Sequence, residues 1–219
     1  KAAGTQKITV SYQGCKAEFT VTVSAASAPK KPGATSITKK TAVYNAVTLQ
    51  WKKISGASGY EIYRADSKKG KFKKVKTITS PKTVSYKDGK LSFHKTYYYK
   101  IKVYTKSGGK KAESAFSKTV SAKTALAAPA KVSLKKKGKT KLNIKWKKVT
   151  GASGYKVQYS LKKKSGFKTI TIKKAKTTSY TKSGLKKGKA YYVRVCAYRT
   201  VKGKKISGKW SKTVSMKLK

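Results

Sequence analysis

Residues 47–62 read VTLQWKKISGASGYEI, and residues 142–157 read LNIKWKKVTGASGYKV. In both stretches apolar and polar side chains alternate up to a tryptophan, a glycine-rich turn follows, and the alternation resumes at a tyrosine. Alternation with a period of two is typical of a strand that buries one face. The Ser-Lys-Thr-Val-Ser sequence of residues 117–121 also returns at 211–215. The chain therefore predicts a tandem array of small all-β units, and such arrays usually act through exposed surfaces.

The charge of the chain is extreme. Lysine and arginine number 57 among 219 residues, aspartate and glutamate number five, and the formal net charge is +52. Such a balance ordinarily indicates disorder. Here the charges are interleaved with Val, Ile, Leu, Tyr and Trp, so each strand can bury an apolar face while its lysines face water. We therefore expect folded all-β units, each long enough for a two-layer core.

Nearly all of this positive charge is lysine, since only Arg64, Arg194 and Arg199 are arginine. Ammonium groups are hydrated point charges without the fork geometry that guanidinium groups use for bidentate recognition. We predict nonspecific contact with a polyanion, and the alternative interpretation is a solvated surface that only keeps the chain soluble. The candidate polyanion-binding residues are Lys135, Lys136, Lys137, Lys162, Lys163, Lys164, Lys186, Lys187, Lys189, Lys202, Lys204 and Lys205. A further lysine cluster earlier in the chain comprises Lys68, Lys69, Lys71, Lys73 and Lys74.

Two Ala-Pro junctions, at residues 28–29 and 128–129, divide the chain, because proline removes a donor from strand pairing. The predicted segments are residues 1–25, 26–125 and 126–219. In the first segment, alternating apolar residues on both sides of Gln13-Gly14 predict a β-hairpin. An isolated hairpin is marginally stable in water, so we expect this one to belong to a preceding domain.

The two longer segments resemble fibronectin type III domains of secreted bacterial proteins, in particular of large surface proteins of Gram-positive anaerobes. The resemblance rests on an early-strand tryptophan, a tyrosine on the next strand, and a leucine followed by a tyrosine at a corner. The matching residues, which the resemblance places in the structural core, are Trp51, Tyr60, Leu91 and Tyr97, then Trp146, Tyr155, Leu185 and Tyr191. The resemblance implies an all-β fold of tandem antiparallel β-sandwiches, each with seven strands in two sheets. The short connections at the two Ala-Pro junctions predict an elongated arrangement of these units. The hairpin segment resembles the last two strands of bacterial immunoglobulin-like domains.

The chain is poor in residues that perform catalysis or bind metals. It contains no carboxylate beyond Ala130, and its single histidine, His94, has no nearby cysteine or paired acid. The serine of each Gly-Ala-Ser-Gly sequence lacks the spacing of a nucleophile elbow, and its repetition favours a turn. Cys15 and Cys196 lie in different units, so we expect two separate thiols. We expect no catalytic residue, no metal site and no cofactor.

Two further features have structural interpretations. Tyr63, Tyr98 and Tyr192 alternate with core positions and should face outward, where cross-strand packing is favoured over stacking on sugars or bases. The glycine-containing stretches 107–109 and 202–204 lack the strand-loop-helix context of a phosphate loop and predict hairpin tips.

These observations favour a non-catalytic extracellular spacer and adhesion segment of a bacterial surface or secreted protein. Its expected partners are an anionic cell-wall polymer such as teichoic acid or an acidic glycan, and neighbouring domains of the parent chain. Nucleic acid is expected only as a nonspecific partner, and no apolar run is long enough to predict membrane insertion. The alternative is an accessory C-terminal tail of a secreted hydrolase whose catalytic domain lies upstream. Because the chain begins at Lys1 without a signal peptide, we expect a piece of a longer protein.

Overall fold

The computed structural model describes residues 3–24 and 27–219, and their regular structure is entirely β-strand. An N-terminal hairpin consists of β1 (Gly4–Tyr12) and β2 (Cys15–Val23). The next eight strands form the first repeat: β3 (Ile37–Val43), β4 (Ala46–Trp51), β5 (Gly59–Ala65), β6 (Lys73–Ile78), β7 (Ser85–Asp88), β8 (Thr96–Ser107), β9 (Lys110–Glu113) and β10 (Val120–Lys123). Eight more strands form the second repeat: β11 (Ser133–Lys136), β12 (Leu142–Lys145), β13 (Gly154–Ser160), β14 (Lys168–Ile172), β15 (Ser179–Lys182), β16 (Ala190–Val201), β17 (Lys204–Trp210) and β18 (Val214–Lys217).

Both repeats have the same sheet topology. The first repeat contains a three-stranded sheet in the order β3-β4-β7 and a second sheet in the order β10-β8-β5-β6, with β9 also paired to β8. In the second repeat the corresponding orders are β11-β12-β15 and β14-β13-β16-β17, with β18 also paired to β16. The predicted fold class, all-β with antiparallel sheets, is confirmed.

Each repeat contains eight strands, one more than the seven that the resemblance implies. In the second repeat the final strand is interrupted, so that β17 and β18 pair separately with β16. Ser211 lies at the interruption: its N–H donates to Val195 O at 2.8 Å, and its Oγ accepts the Val195 N–H at 3.0 Å. The Ser211 hydroxyl therefore accepts the hydrogen bond that a strand carbonyl would otherwise accept, and within the repeated Ser-Lys-Thr-Val-Ser sequence of residues 211–215 the strand begins only at Val214.

The core of the second repeat lies between its two sheets. Leu142 and Ile144 of β12 belong to one buried cluster with Tyr155 and Val157 of β13, and all four are at most 1% exposed. Lys156, between the last two, takes the opposite face of β13 and is only half-buried. Complete burial of an apolar side chain of this size stabilises the fold by roughly 1.5–3 kcal/mol, so the alternating apolar residues of these strands make a large contribution to the core.

In both repeats a tryptophan packs against a tyrosine of the next strand along the chain, which belongs to the opposite sheet. The ring centroids are 5.4 Å apart for Trp51 and Tyr60 and 5.3 Å apart for Trp146 and Tyr155, and all four side chains are buried. The Tyr60 hydroxyl also accepts the backbone N–H of Ile54 at 3.1 Å. The tyrosine therefore contacts the opposite sheet through its ring and holds the preceding turn through its hydroxyl.

The predicted N-terminal hairpin is present and is exposed on both faces. Gln13 and Gly14 have φ angles of 46° and 80°, which suits the type I′ turn of two-residue hairpins. Because Ile8 pairs with Phe19, alternation places the apolar residues of both strands on one face. That face consists of Ile8, Val10, Tyr12, Phe19, Val21 and Val23, which are 37–74% exposed.

The described residues fall into two compact units. One consists of those within residues 1–39, 49–85 and 97–121, and the other consists of residues 40–48, 86–96 and 122–219.

In the second unit, Tyr44 and Phe93 pack against the core of the second repeat. The Arg199 guanidinium lies 4.7 Å from the Tyr44 ring centroid and donates to Gly151 O at 3.0 Å. Gly151 has a φ of +81°, and a Cβ there would overlap the Tyr44 ring, so this position requires glycine.

The hydroxyl of Tyr155 allows a direct test of how the core tyrosine holds the turn that precedes its strand. It accepts the N–H of Val149 at 3.0 Å in a buried hydrogen bond. We expect Tyr155→Phe to lower the free energy of unfolding by about 1–3 kcal/mol, because the N–H loses its acceptor where water does not reach it. Urea denaturation followed by tryptophan fluorescence measures the loss, and faster amide exchange at Val149 locates it.

The matched control is Tyr192→Phe, since Tyr192 lies half-buried on the outer face of β16. We expect this change to alter the free energy of unfolding by less than about 0.5 kcal/mol. Equal effects of the two substitutions would contradict the assigned role of the Tyr155 hydroxyl.

Candidate polyanion-binding surface

All twelve lysines predicted to bind a polyanion are exposed, and together they are called the lysine surface below. They lie in four stretches of the second repeat: in and directly after β11 (135–137), in the β13–β14 loop (162–164), in the β15–β16 loop (186, 187 and 189) and around the β16–β17 turn (202, 204 and 205). Two of these stretches meet, because Lys162 and Lys186 line one cavity. The earlier cluster, Lys68 to Lys74, is also exposed, in the β5–β6 loop and at the start of β6.

In the first repeat, part of the positive charge is neutralised by a carboxylate network. Glu61, which is 2% exposed, accepts hydrogen bonds from Lys111 Nζ at 2.8 Å, Lys74 Nζ at 2.9 Å and the Tyr63 hydroxyl at 2.9 Å. Lys111 also donates to Glu113 at 2.7 Å. Because these groups come from β5, β6 and β9, the network ties three strands of one sheet together on the face away from the core.

The network shifts the titration of its own members. Burial alone would raise the pKa of Glu61, but hydrogen bonds from Lys111, Lys74 and Tyr63 outweigh burial and lower that pKa to about 2. Burial and the hydrogen bond to Glu61 raise the pKa of Tyr63 to about 12. The Tyr63 ring also packs edge-on against Phe116, with 5.0 Å between centroids, which fits the structural interpretation of this tyrosine.

The corresponding face of the second repeat has no carboxylate. Lys156 takes the position of Glu61, directly after the core tyrosine, and its Nζ donates to Ser207 Oγ at 3.0 Å. Residues 114–219 contain neither aspartate nor glutamate. The positive charge of the second repeat therefore has no carboxylate partner within that repeat, and anions from solution must balance it.

Arg194 is held between two aromatic rings. Its guanidinium carbon lies 4.2 Å from the Phe167 centroid and 4.9 Å from the Trp210 centroid, and its Nε donates to Gln158 at 2.8 Å. In the first repeat Lys100 holds the matching position, 4.4 Å from one phenylalanine ring and 5.4 Å from another. A cation therefore lies against two aromatic rings at this position in both repeats, as arginine in the second and as lysine in the first. The contact stabilises the outer face of the sheet that contains it.

The other two arginines are also engaged within the protein. Arg64 lies 5.4 Å from the centroid of the Tyr97 ring, and Arg199 stacks on Tyr44. With all three guanidinium groups in such contacts, the lysine ammonium groups supply the accessible positive charge.

A cavity of about 340 Å³ lies between the ends of the two sheets of the second repeat. It is bounded by the end of β13, the start of β14, the end of β15 and the start of β16. Besides Lys162 and Lys186 it is lined by Lys168 and Lys182, which the sequence prediction missed. Lys182 lies two positions after the core-packed Tyr180, so period-two alternation places it on the inward face at the strand end, and that signal could have identified it.

The serines of the repeated turns bond to the backbone. Ser58 Oγ accepts the N–H of Lys106 at 2.9 Å, and Ser153 Oγ accepts the N–H of Thr200 at 3.1 Å. Each hydroxyl thus joins the turn to the long strand beside it, as expected for a turn rather than for a nucleophile paired with a base.

The remaining chemically reactive side chains are dispersed. His94 lies in the β7–β8 loop with a φ of 60°, beside Phe93. Cys15 and Cys196 are free thiols, the first exposed and the second buried, and burial raises the pKa of Cys196. Across residues 3–24 and 27–219, no three histidine, cysteine or acidic side chains come together as metal ligands.

No part of the described chain forms a helix with the length and hydrophobicity needed to cross a bilayer.

Residues 127–216 match the family model of the fibronectin type III domain. No curated protein sequence matches the chain. Among solved structures, the chain is similar to the FN1–FN3 domains of chicken CNTN1, at 20% identity over 90% of this chain and 67% of that chain, with a TM-score of 0.38. It is also similar to a two-domain fibronectin type III segment of chicken tenascin, at 17% identity over 84% and 99%, with a TM-score of 0.44. The resemblance to a fibronectin type III domain is thus confirmed for the second repeat. It stays a prediction for the first repeat, as do the bacterial type of both repeats and the immunoglobulin-like type of the hairpin.

The carboxylate network makes the stability of the first repeat depend on pH. The pKa of Glu61 is about 2 in the folded protein and 4.5 ordinarily, so its stabilisation is complete above about pH 4.5 and is lost as the pH falls towards 2. Because two of the partners of Glu61, Lys74 and Lys111, are partly exposed to solvent, we expect the free energy of unfolding to fall by about 2 kcal/mol, which is less than the full shift in pKa would give. Urea denaturation at pH 6, 4 and 2 measures this loss.

Glu61→Gln is the matched control for the pH dependence. The amide keeps the shape of the side chain but carries no titrating proton, so the variant should be less stable at pH 6 and should show a smaller decline on acidification. A decline of the same size in the variant would assign the acid sensitivity to other groups.

Proposed function

We propose that this chain is a non-catalytic extracellular spacer and adhesion segment whose lysine surface contacts an anionic polymer. The observation that carries the proposal is the distribution of charge. The first repeat neutralises part of its positive charge through Glu61 and Glu113, whereas residues 114–219 contain no carboxylate at all. A polymer that supplies regularly spaced anions would replace the missing carboxylates along the second repeat.

The kind of cation favours a partner recognised by charge density. Bidentate recognition of phosphates or base edges depends on accessible guanidinium groups, and here all three arginines stack on aromatic rings. Lysine ammonium groups instead make many weak contacts with a chain of anions. We propose anionic cell-wall polymers such as teichoic acid, or acidic glycans, as the natural class, with nucleic acid bound only nonspecifically.

We further propose that the chain is part of a bacterial surface or secreted protein with segment boundaries near residues 25 and 125. The apolar face of the N-terminal hairpin supports this arrangement. Side chains such as Val10 and Phe19 are about half exposed, as expected for the last two strands of a sandwich whose other strands lie elsewhere in the parent protein. The immunoglobulin-like domain proposed for this position would bury that face.

The test is binding of the chain to purified Gram-positive cell walls, before and after removal of teichoic acid, across a sodium chloride series. We expect binding to be lost when teichoic acid is removed. We also expect the logarithm of the binding constant to fall linearly with the logarithm of the salt concentration. A polymer that engages about six lysines should lose on the order of a thousandfold in affinity between 50 and 200 mM salt.

Single-stranded DNA at matched salt is the comparison ligand. Stronger binding to DNA than to wall polymer would move the assignment to nucleic acid, and salt-independent binding or equal binding to stripped walls would remove the role proposed for the lysine surface.

A further inference from the structure

The cavity of the second repeat has the size of a small-ligand site. Its volume of about 340 Å³ lies at the lower end of the range found for such sites, roughly 300–1,000 Å³. It opens where the two sheets separate, and its walls combine the ends of four strands with residues of the β13–β14 and β15–β16 loops. Tyr191, at its base, is fixed further because its hydroxyl accepts the N–H of Lys186 at 2.8 Å.

Apolar and aromatic side chains form much of the wall. Tyr159, Leu185 and Tyr191 line the cavity from three different segments of the repeat. Leu161 adds an aliphatic side chain that is 50% exposed, although loops usually place polar residues at such positions. This combination offers a surface for the C–H face of a ring rather than for a bare ion.

Four lysines surround this apolar wall. Lys162, Lys168 and Lys186 are exposed, whereas Lys182 is half-buried, with its Nζ 5.5 Å from the Tyr159 ring centroid and bonded to Ser183 O at 2.6 Å. No carboxylate exists in the second repeat to neutralise them. An anionic group that enters the cavity therefore meets several positive charges and no competing acid.

The first repeat differs in this region. Arg64 holds the position of Tyr159, and its guanidinium lies over the Tyr97 ring. A cavity of about 290 Å³ beside it is lined by Asp66, which holds the position of Leu161. The two repeats therefore share the same sheet topology but differ at this cavity. Only in the second repeat does it combine an apolar wall with lysines that have no carboxylate nearby.

We propose that the cavity of the second repeat binds a single sugar residue that carries an anionic group, either phosphate or carboxylate. The aromatic and aliphatic wall would contact the sugar ring, and the four lysines would contact the anion. This inference rests on the proposed function and deepens it, because it names the place where one residue of an anionic polymer is held while the other lysines make diffuse contacts.

The first experiment is an NMR titration of the isotope-labelled chain at constant ionic strength. The probes are glucose 6-phosphate and glucuronic acid, with glucose and inorganic phosphate as the separate halves of the ligand. We expect saturable shifts at the amides of Leu161, Lys162 and Leu185, with dissociation constants at least about tenfold lower for a charged sugar than for either half. Comparing the two charged sugars identifies which anion is preferred.

Two results would overturn the assignment of the cavity. One is that inorganic phosphate gives the same shifts with the same dissociation constant, since the ring would then contribute nothing. The other is that shifts are spread evenly over lysines outside the cavity, as expected for diffuse ion binding.

The second experiment uses the difference between the repeats. Leu161→Asp introduces the residue that the first repeat has at this position, and Leu161→Asn is the neutral control of the same size. Because Leu161 lies half exposed in a loop, both variants should fold. We expect Leu161→Asp to weaken binding of the charged sugar about tenfold relative to Leu161→Asn, through repulsion between like charges. Equal weakening by both variants would contradict recognition of the anion.

Wall binding of the same variants separates the two proposals. If no charged sugar binds, but wall polymer binds the unmodified chain and Leu161→Asp with the same salt dependence, the cavity proposal fails and the proposed function stands. If the charged sugar binds as expected but wall polymer does not bind at any salt concentration, the proposed function fails and the cavity remains a site for a smaller ligand.

Discussion

The fold depends on the packing of a tryptophan from one sheet on a tyrosine from the other. Neither Trp51 nor Trp146 has a partner for its indole N–H, so each contributes through its ring alone. The tyrosine supplies the directional part, because its hydroxyl bonds to the backbone of the turn that precedes its strand. The strand then starts at a position such as Gly154, where a Cβ would collide with the carbonyl of Ile172 and the hydroxyl of a second tyrosine. The same close approach occurs in both repeats, which is why one turn sequence serves both.

With the core held in this way, the outer faces of the two repeats can differ without affecting it. Glu61 and Lys156 occupy the same position on equivalent strands, each between two residues with no exposed surface. Alternation isolates the two faces, so a reversal of charge on one face leaves the packing of the other intact. The first repeat uses this freedom to join strands through carboxylates, whereas the second repeat contains no carboxylate that could do so.

Much of this architecture could be predicted from the sequence. The period-two pattern and the repeated turn identify the strands, and Gln13-Gly14 identifies the hairpin turn. The interruption of the last strand could not be predicted, because it depends on Ser211 bonding to a strand that is remote in sequence. Lys168 and Lys182 stand apart from the lysine runs. Alternation places Lys182 on the inward face of its strand, but its position in one cavity with Lys168 depends on the approach of two sheets. Spatial convergence of single residues leaves little trace in a sequence without aligned relatives.

The absence of acids and histidines beyond Glu113 has a consequence for how binding is observed. The second repeat contains no aspartate, glutamate or histidine, the residue types that ordinarily titrate between weakly acidic and neutral solution. A change with acidity in the affinity of a polymer for the chain would then originate in the polymer or in residues before 114, which hold the carboxylates and His94. A phosphodiester polymer remains ionised in mild acid, whereas a uronic acid polymer gradually becomes neutral. If the second repeat binds an anionic polymer as proposed, the dependence of its binding on acidity would therefore distinguish a phosphodiester polymer from a uronic acid polymer.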